Sequence, residues 1–218
     1  RYRTDLAGGD TTASVNGLAI GVTAAGDVAK DRIAYRSGAK PNDLICLSGD
    51  LGAAYMGLHL LEREKRACGG QPDPKPKFEG HEYILGRQLK PEARTDIIER
   101  LAEAGIVPTS MIDITDGLAS ETLHLCKSSG CGARIYLDRL PIARQTHDMA
   151  EELHADPVVA ALNGGQDYEL LFTVPLSKQQ EIFALGVDVI GHVTAAGTGA
   201  MLVTPDGSEI ALKAPGWK

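Results

Sequence analysis

The stretch Met111-Ile112-Asp113-Ile114-Thr115-Asp116-Gly117 sets two carboxylates and a hydroxyl where a strand gives way to a helix. Alternate side chains of a strand face opposite ways, so Ile112 and Ile114 point into a core while Asp113 and Thr115 share the other face. Asp116 falls at the exit, and Gly117 permits the change of direction. Carboxylates this close repel unless a positive charge lies between them, and Mg2+ takes one or two carboxylates together with substrate phosphates. Helix capping is the competing explanation. It accounts for one of the three polar residues, not for Asp113 in mid-strand.

Four other places carry polar groups of the same kind. Gly8-Gly9-Asp10-Thr11-Thr12 lets a backbone approach a ligand and adds the oxygen of Asp10, although Gly-Gly-Asp is also an ordinary turn. It joins the metal reading if the fold brings Asp10 to Asp113 and Asp116. Arg36-Ser37-Gly38 offers a cation for phosphate oxygens, or simply a surface arginine before a loop. Ser48-Gly49-Asp50-Leu51-Gly52 resembles an anion-binding helix start but lacks the Lys-Ser/Thr ending of a P-loop. In Asn163-Gly164-Gly165-Gln166-Asp167-Tyr168-Glu169, turn chemistry explains the glycines and leaves the run of polar residues before a buried strand unexplained. Trp217 is either a packing anchor or a flat face for a ligand ring. There is no Gly-x-Ser-x-Gly elbow and no His-x-x-x-His pair among six dispersed histidines. Acidic residues, glycines and an arginine remain, an inventory suited to phosphoryl transfer, where catalysis is positioning and charge neutralisation.

The elements that must position these residues follow from periodicity. Leu18, Ile20 and Val22 alternate with small residues, which predicts a half-buried strand over 14–24. Strands are expected at 44–47, 111–114, 133–137, 168–174, 187–193 and 200–212, the last bent at Pro205-Asp206-Gly207. Helices are expected at 51–66, 92–105, 117–129, 142–154 and 176–186, with a Gly-, Pro- and Lys-rich loop at 68–80. Strands and helices mix without a strict βαβ rhythm, which predicts α/β layers on a mixed sheet. Residues 1–35 hold one strand and a turn, too little for a core, and read as the tail of another domain.

Composition sets the outer limits. With 218 residues and 43% hydrophobic content the chain can bury one core, or a domain and part of another. A formal charge of −7 argues against a nucleic-acid partner, while divalent cations can still bridge acidic side chains to phosphates. No apolar run reaches membrane-spanning length and the first residues lack a signal-peptide core, so the cytoplasm is the expected compartment. Cys46, Cys68, Cys126 and Cys131 show no zinc-type pairing and read as structural thiols.

Taken in order, GGDTT at 8–12, RSGAKPND at 36–43, MIDITDGL at 111–118, SGCGARI at 129–135 and NGGQDYELLFTVP at 163–175 resemble the thiamine-monophosphate kinase family. That family sits in the superfamily of aminoimidazole ribonucleotide synthetase, and the resemblance spans nearly the whole chain. It implies the C-terminal two-thirds of such an enzyme. The expected fold is a mixed-sheet α/β domain over 36–218, preceded over 1–35 by the last strands of a ferredoxin-like ATP- and magnesium-binding domain. It implies that Gly9 and Asp10 contact ATP, with Asp10 also a magnesium ligand, and that Arg36 binds ATP phosphates. By the same resemblance Asp113 and Asp116 hold further Mg2+ ions, Thr115 touches the nucleotide, and Gln166 and Trp217 line the thiamine monophosphate pocket. The family usually carries Glu at the Gln166 position; Gln keeps the hydrogen bonding and loses the charge. The implied reaction is phosphorylation of thiamine monophosphate by ATP, with a homodimer as the full-length form and little activity expected of this chain alone. A synthetase of the same superfamily, or a stable non-catalytic module, are the alternatives.

Overall fold

The computed structural model describes residues 2–15, 17–70 and 75–214. The chain divides into two compact units, Arg1–Ile33 and Ala34–Lys218. The described residues of the first unit form no helix and no strand. The strand predicted over 14–24 is therefore not formed: Leu18, Ile20 and Val22 are 89%, 79% and 87% exposed. A lone strand leaves its backbone groups unpaired and its apolar side chains in water, and this unit offers neither a pairing strand nor a core.

The second unit is the predicted α/β architecture. Its strands are β1 (Leu44–Leu47), β2 (Ser110–Asp113), β3 (Gly132–Tyr136), β4 (Leu170–Val174), β5 (Asp188–Thr194), β6 (Ala200–Val203) and β7 (Glu209–Ala211). They form one sheet in the order β2-β4-β1-β5-β3-β6-β7. Every pairing is antiparallel except β3 with β6. Among the described residues seven α-helices accompany them: α1 (Ala53–Cys68), α2 (Glu82–Leu89), α3 (Thr95–Glu103), α4 (Leu118–Ser129), α5 (Arg144–Glu152), α6 (Pro157–Asn163) and α7 (Gln179–Ala184).

Both sheet faces are covered, which explains the uninterrupted apolar run of β1. Ile45 and Leu47 pack with Leu118 and Leu125 of α4 and Ala161 and Leu162 of α6. Leu44 and Cys46 face Ile97 and Leu101 of α3 and Ile182 of α7. Burial pushes the Cys46 thiol up to about 12, as suits a structural cysteine. A third cluster joins Met56 and Leu60 of α1 to Ile84 of α2, Met149 of α5 and Ala160 of α6. At Gly57 a Cβ would lie 2.5 Å from the Ile84 carbonyl oxygen, so glycine sets the close approach of α1 and α2.

The sequence reading missed α2 and α6. The start of α6 carries a helix-start signal, since the Asp156 side chain accepts the Val158 N–H and Pro157 occupies the first turn. No helix among the described residues is long and apolar enough to cross a membrane.

Candidate functional site

One end of the sheet gathers the chemistry. There β1 runs out into Ser48-Gly49-Asp50, β2 into Ile114-Thr115-Asp116, and β4 is entered from Gln166-Asp167-Tyr168-Glu169. Backbone bonds extend the ladders past the strand ends. Ile114 N–H donates to Glu169 O at 2.8 Å, Tyr168 N–H to Ile114 O at 2.9 Å, and Ser48 N–H to Leu170 O at 3.1 Å. Gln166 N–H donates to Thr115 O at 2.8 Å, joining the loop before β4 to the turn after β2. Two glycines make this contact possible. A Cβ at Gly117 (φ 108°) would lie 2.6 Å from Leu162 O, and one at Gly165 (φ 70°) 3.0 Å from the Asp116 carbonyl carbon. Their conformations and their neighbours both exclude a side chain.

The strand-face argument holds. Ile112 and Ile114 are buried, Asp113 is exposed, and the Thr115 hydroxyl donates to Asp113 Oδ2 at 2.9 Å. Asp116 is also exposed. Capping consumes neither carboxylate. The residue preceding α4 is Gly117, and the amides of Thr115 and Asp116 are taken by Glu121 Oε1, at 3.2 and 2.9 Å. Among the described residues, neither Asp113 nor Asp116 pairs with a lysine or arginine, and no three His, Cys, Asp or Glu side chains form a metal-holding group. Two open carboxylates fit an Mg2+ ion whose other ligands are waters and phosphate oxygens, and do not fit a closed protein cage.

Behind this face lies a buried charge cluster that explains the polar run before β4. Glu169, 1% exposed, accepts from Arg87 Nη1 at 2.8 Å, from Arg94 Nη1 and from the Ser48 hydroxyl. Arg87 also donates to the carbonyls of Asp50 (3.0 Å) and Asp167 (3.3 Å), and Arg94 to that of Ser48 (2.8 Å). Burial opposes the Arg87 charge, but Glu169, Asp50 and Asp167 together hold its pKa above the usual value. Asp167, 3% exposed, accepts the amides of Gly52 (3.0 Å) and Ala54 (3.4 Å) at the start of α1. Burial pushes its carboxyl up to about 7, against the pull of those amides and of Arg87. The anion-binding helix start read at Ser48–Gly52 is therefore occupied by the protein's own carboxylate. Tyr83 of α2 donates to both Asp50 oxygens at 2.6 Å; burial, then the Asp50 carboxylate, raise its phenol.

Gln166 is half-buried at the front of this cluster with φ 60°, and Gln88 Nε2 lies 3.5 Å from its Oε1. Arg36 is exposed, in a segment that runs beside the free edge of β2. Tyr35 O accepts Met111 N–H there, and Ser129 Oγ accepts the amides of Gly38 and Ala39. That path takes Arg36 toward the Thr109 end of β2. Among the described residues no hydrogen bond ties it to Asp113 or Asp116. Gly9 and Asp10 belong to the first unit, where both are exposed and Asp10 Oδ1 accepts the Thr11 amide at 2.8 Å. Trp217 lies outside the described residues. Glu121, Asp167, Glu169, Arg87 and Arg94 were missed. Glu121 had a local signal, an acid in the first turn of a helix, and Asp167 and Glu169 lay in the polar run already noted; what no local pattern shows is the pairing of Arg87 and Arg94 with Glu169, 82 and 75 residues away.

Comparison with known proteins bears on the family and the fold. Residues 40–204 match the family described as AIR synthase related protein, C-terminal domain. The thiamine-monophosphate kinase of Escherichia coli K12 is 36% identical over 226 residues, covering 100% of this chain and 63% of that protein. The Bacillus subtilis 168 thiamine-monophosphate kinase is 31% identical, covering 99% of this chain and 64% of its own length. The chain thus spans somewhat under two-thirds of the curated relatives it matches. A solved structure of AaThiL complexed with AMPPCP and TMP superposes with a TM-score of 0.68 at 32% identity, covering 86% of this chain and 54% of that one.

Proposed function

The chain belongs to the AIR synthase related protein family, and from that premise we propose that the full-length protein uses ATP to phosphorylate thiamine monophosphate to thiamine diphosphate. The observation that carries the reading is the joint between two motifs: Gln166 N–H on Thr115 O holds the proposed substrate loop against the turn that bears Asp113 and Asp116. A kinase needs that adjacency, because the acceptor phosphate must lie in line with the γ-phosphate. The solved relative that holds AMPPCP and TMP supports the choice of substrates.

Asp113 and Asp116 would hold Mg2+ through their open oxygens, and bound Mg2+ supplies charge neutralisation between two phosphorylated substrates. Thr115, tied to Asp113, would orient that carboxylate and touch the nucleotide. Gln166 would meet thiamine monophosphate, with Trp217 as a further wall. Arg36, Gly9 and Asp10 would serve ATP, with Asp10 adding a metal ligand. The division of the chain at Ile33 supports reading residues 1–35 as the tail of an ATP- and magnesium-binding domain and 36–218 as the C-terminal domain. A homodimer, which rests on the resemblance alone, and the cytoplasmic location expected from the sequence complete the reading.

The test is a coupled assay of the full-length protein, offering thiamine monophosphate against formylglycinamidine ribonucleotide with ATP and Mg2+. Thiamine diphosphate is the expected product, and turnover of the second substrate alone would overturn the assignment. The 218-residue chain by itself is expected to show negligible turnover, since Asp10, Asp113 and Asp116 would be only part of the metal cage and much of the substrate charge would go uncompensated. Robust Mg2+-dependent turnover by the chain would contradict that.

A further inference from the structure

Glu121 is 3% exposed at the start of α4, an unusual place to bury a carboxylate. Its Oε1 accepts the amides of Thr115 (3.2 Å) and Asp116 (2.9 Å), while Oε2 is buried with no hydrogen-bond partner among the described residues. Leaving a buried carboxylate oxygen unpaired is costly. Capping alone does not require it, because an amide oxygen would accept the same two bonds. What singles the residue out is what it grips. Thr115 and Asp116 are two of the open polar groups at the sheet end, and the Thr115 carbonyl in turn receives Gln166 N–H. The Thr115 peptide is thus fixed on its amide side by Glu121 and on its carbonyl side by the Gln166 loop. Gly117 cannot share the work, having no side chain and no room for one.

We infer that Glu121 is a positioning residue that sets the carboxylate turn and the Gln166 loop in register, coupling the metal-holding side of the site to its acceptor side; this rests on the function proposed above. A purely structural Glu121 would change stability and leave both ligand responses of the folded enzyme as they were. A register-setting Glu121 moves both.

The experiment uses full-length wild type, Glu121→Ala and Glu121→Gln. It measures the Mg2+ activation constant and the KM for thiamine monophosphate per folded molecule, with hydrogen exchange at the Thr115 and Asp116 amides. In Glu121→Ala both constants are expected to rise about tenfold, with protection lost at both amides, because two charge-assisted bonds are removed. In Glu121→Gln, which keeps the acceptor oxygen without the charge, both are expected to rise about threefold with partial loss of protection. Unchanged constants in a folded Glu121→Ala overturn the inference, as does a rise in only one of them. If Glu121→Ala does not fold, Glu121→Gln decides, and wild-type constants and protection there overturn it equally. A wild type without Mg2+-dependent kinase activity refutes the proposed function instead. Exchange protection and calorimetric Mg2+-ATP binding then judge Glu121 alone, and wild-type values of both in Glu121→Gln overturn the inference.

Discussion

Asp167 should make the protein less stable as the pH rises toward neutrality, and Asp167→Asn should remove that effect. In the unfolded chain this carboxyl ionises near 3.8; in the folded protein burial pushes it up to about 7. Between those values the folded state keeps a proton that the unfolded state has released. The contribution of Asp167 is therefore fully present below pH 3.8 and is lost as the pH rises through about 7. At 1.36 kcal/mol per pH unit the ceiling on the loss is about 4 kcal/mol. The value of about 7 already includes the opposing pull of the Gly52 and Ala54 amides and of Arg87, 4.0 Å away; relaxation around the buried charge reduces the desolvation cost, so about half the ceiling, ~2 kcal/mol, is the working expectation.

Asn has the shape of Asp and keeps an oxygen for the Gly52 amide. Arg87 retains Glu169 at 2.8 Å and two backbone carbonyls, so the substitution leaves no bare cation behind. Asp167→Asn should match wild type near pH 4 and exceed it by ~2 kcal/mol at pH 8, with an apparent Tm about 4–8 °C higher for a chain of this size. Urea unfolding of both proteins at pH 5, 6, 7 and 8 reads this directly. Parallel stability curves would show that Asp167 titrates alike in the two states. A variant weaker than wild type at pH 8 would show that the α1 amides and Arg87 fully repay the desolvation of the charge.

Three further outcomes are expected. Asp113→Asn should lower turnover of the full-length enzyme about a hundredfold with unfolding unchanged to within ~0.5 kcal/mol, since the residue is exposed and among the described residues its side chain is bonded by Thr115 alone; a collapse of Tm with activity per folded molecule intact would make it structural. Gln166→Glu should lower the KM for thiamine monophosphate several-fold, because a charge-assisted contact to the thiazolium-bearing substrate exceeds a neutral one by about 1 kcal/mol; an unchanged or higher constant would leave Gln166 a neutral wall. Glu169→Ala should cost about 3 kcal/mol by removing the closest carboxylate of the partly buried Arg87, while Arg94 keeps its pair with Asp96; a lower urea midpoint measures this, and a loss under about 1 kcal/mol would mean that water replaces the carboxylate.

What was legible in the sequence was what local periodicity and local chemistry control. The alternation in Met111–Asp113 gave the right faces, with Ile112 inside and Asp113 outside, because one buried face fixes a strand's orientation. The same alternation at Leu18, Ile20 and Val22 misled, since a strand exists only where another strand pairs with it. Helix α2 escaped notice because one buried residue, Ile84, is too little for a helical period to show. Its importance lies in Arg87, Gln88 and Tyr83, whose partners sit 33 to 82 residues away.

The polar run before β4 shows how the two kinds of information combine. Read locally, Gln166-Asp167-Tyr168-Glu169 is a turn with too many charges. In the fold, Asp167 and Glu169 turn inward to α1, Arg87 and Arg94, while Gln166 remains half-buried at the front. Positive φ at Gln166 and Tyr168, 60° and 53°, is costly for non-glycine residues and persists only where surrounding bonds over-determine the backbone. Those bonds are the ion pairs of Glu169, the α1 amides on Asp167, and the hydrogen bonds to Thr115 and Ile114. Ion pairs and hydrogen bonds rather than apolar packing therefore hold the loop before β4. Its geometry should loosen with loss of Glu169 before the sheet core does, which hydrogen exchange at Gln166 and Tyr168 against Phe172 would reveal.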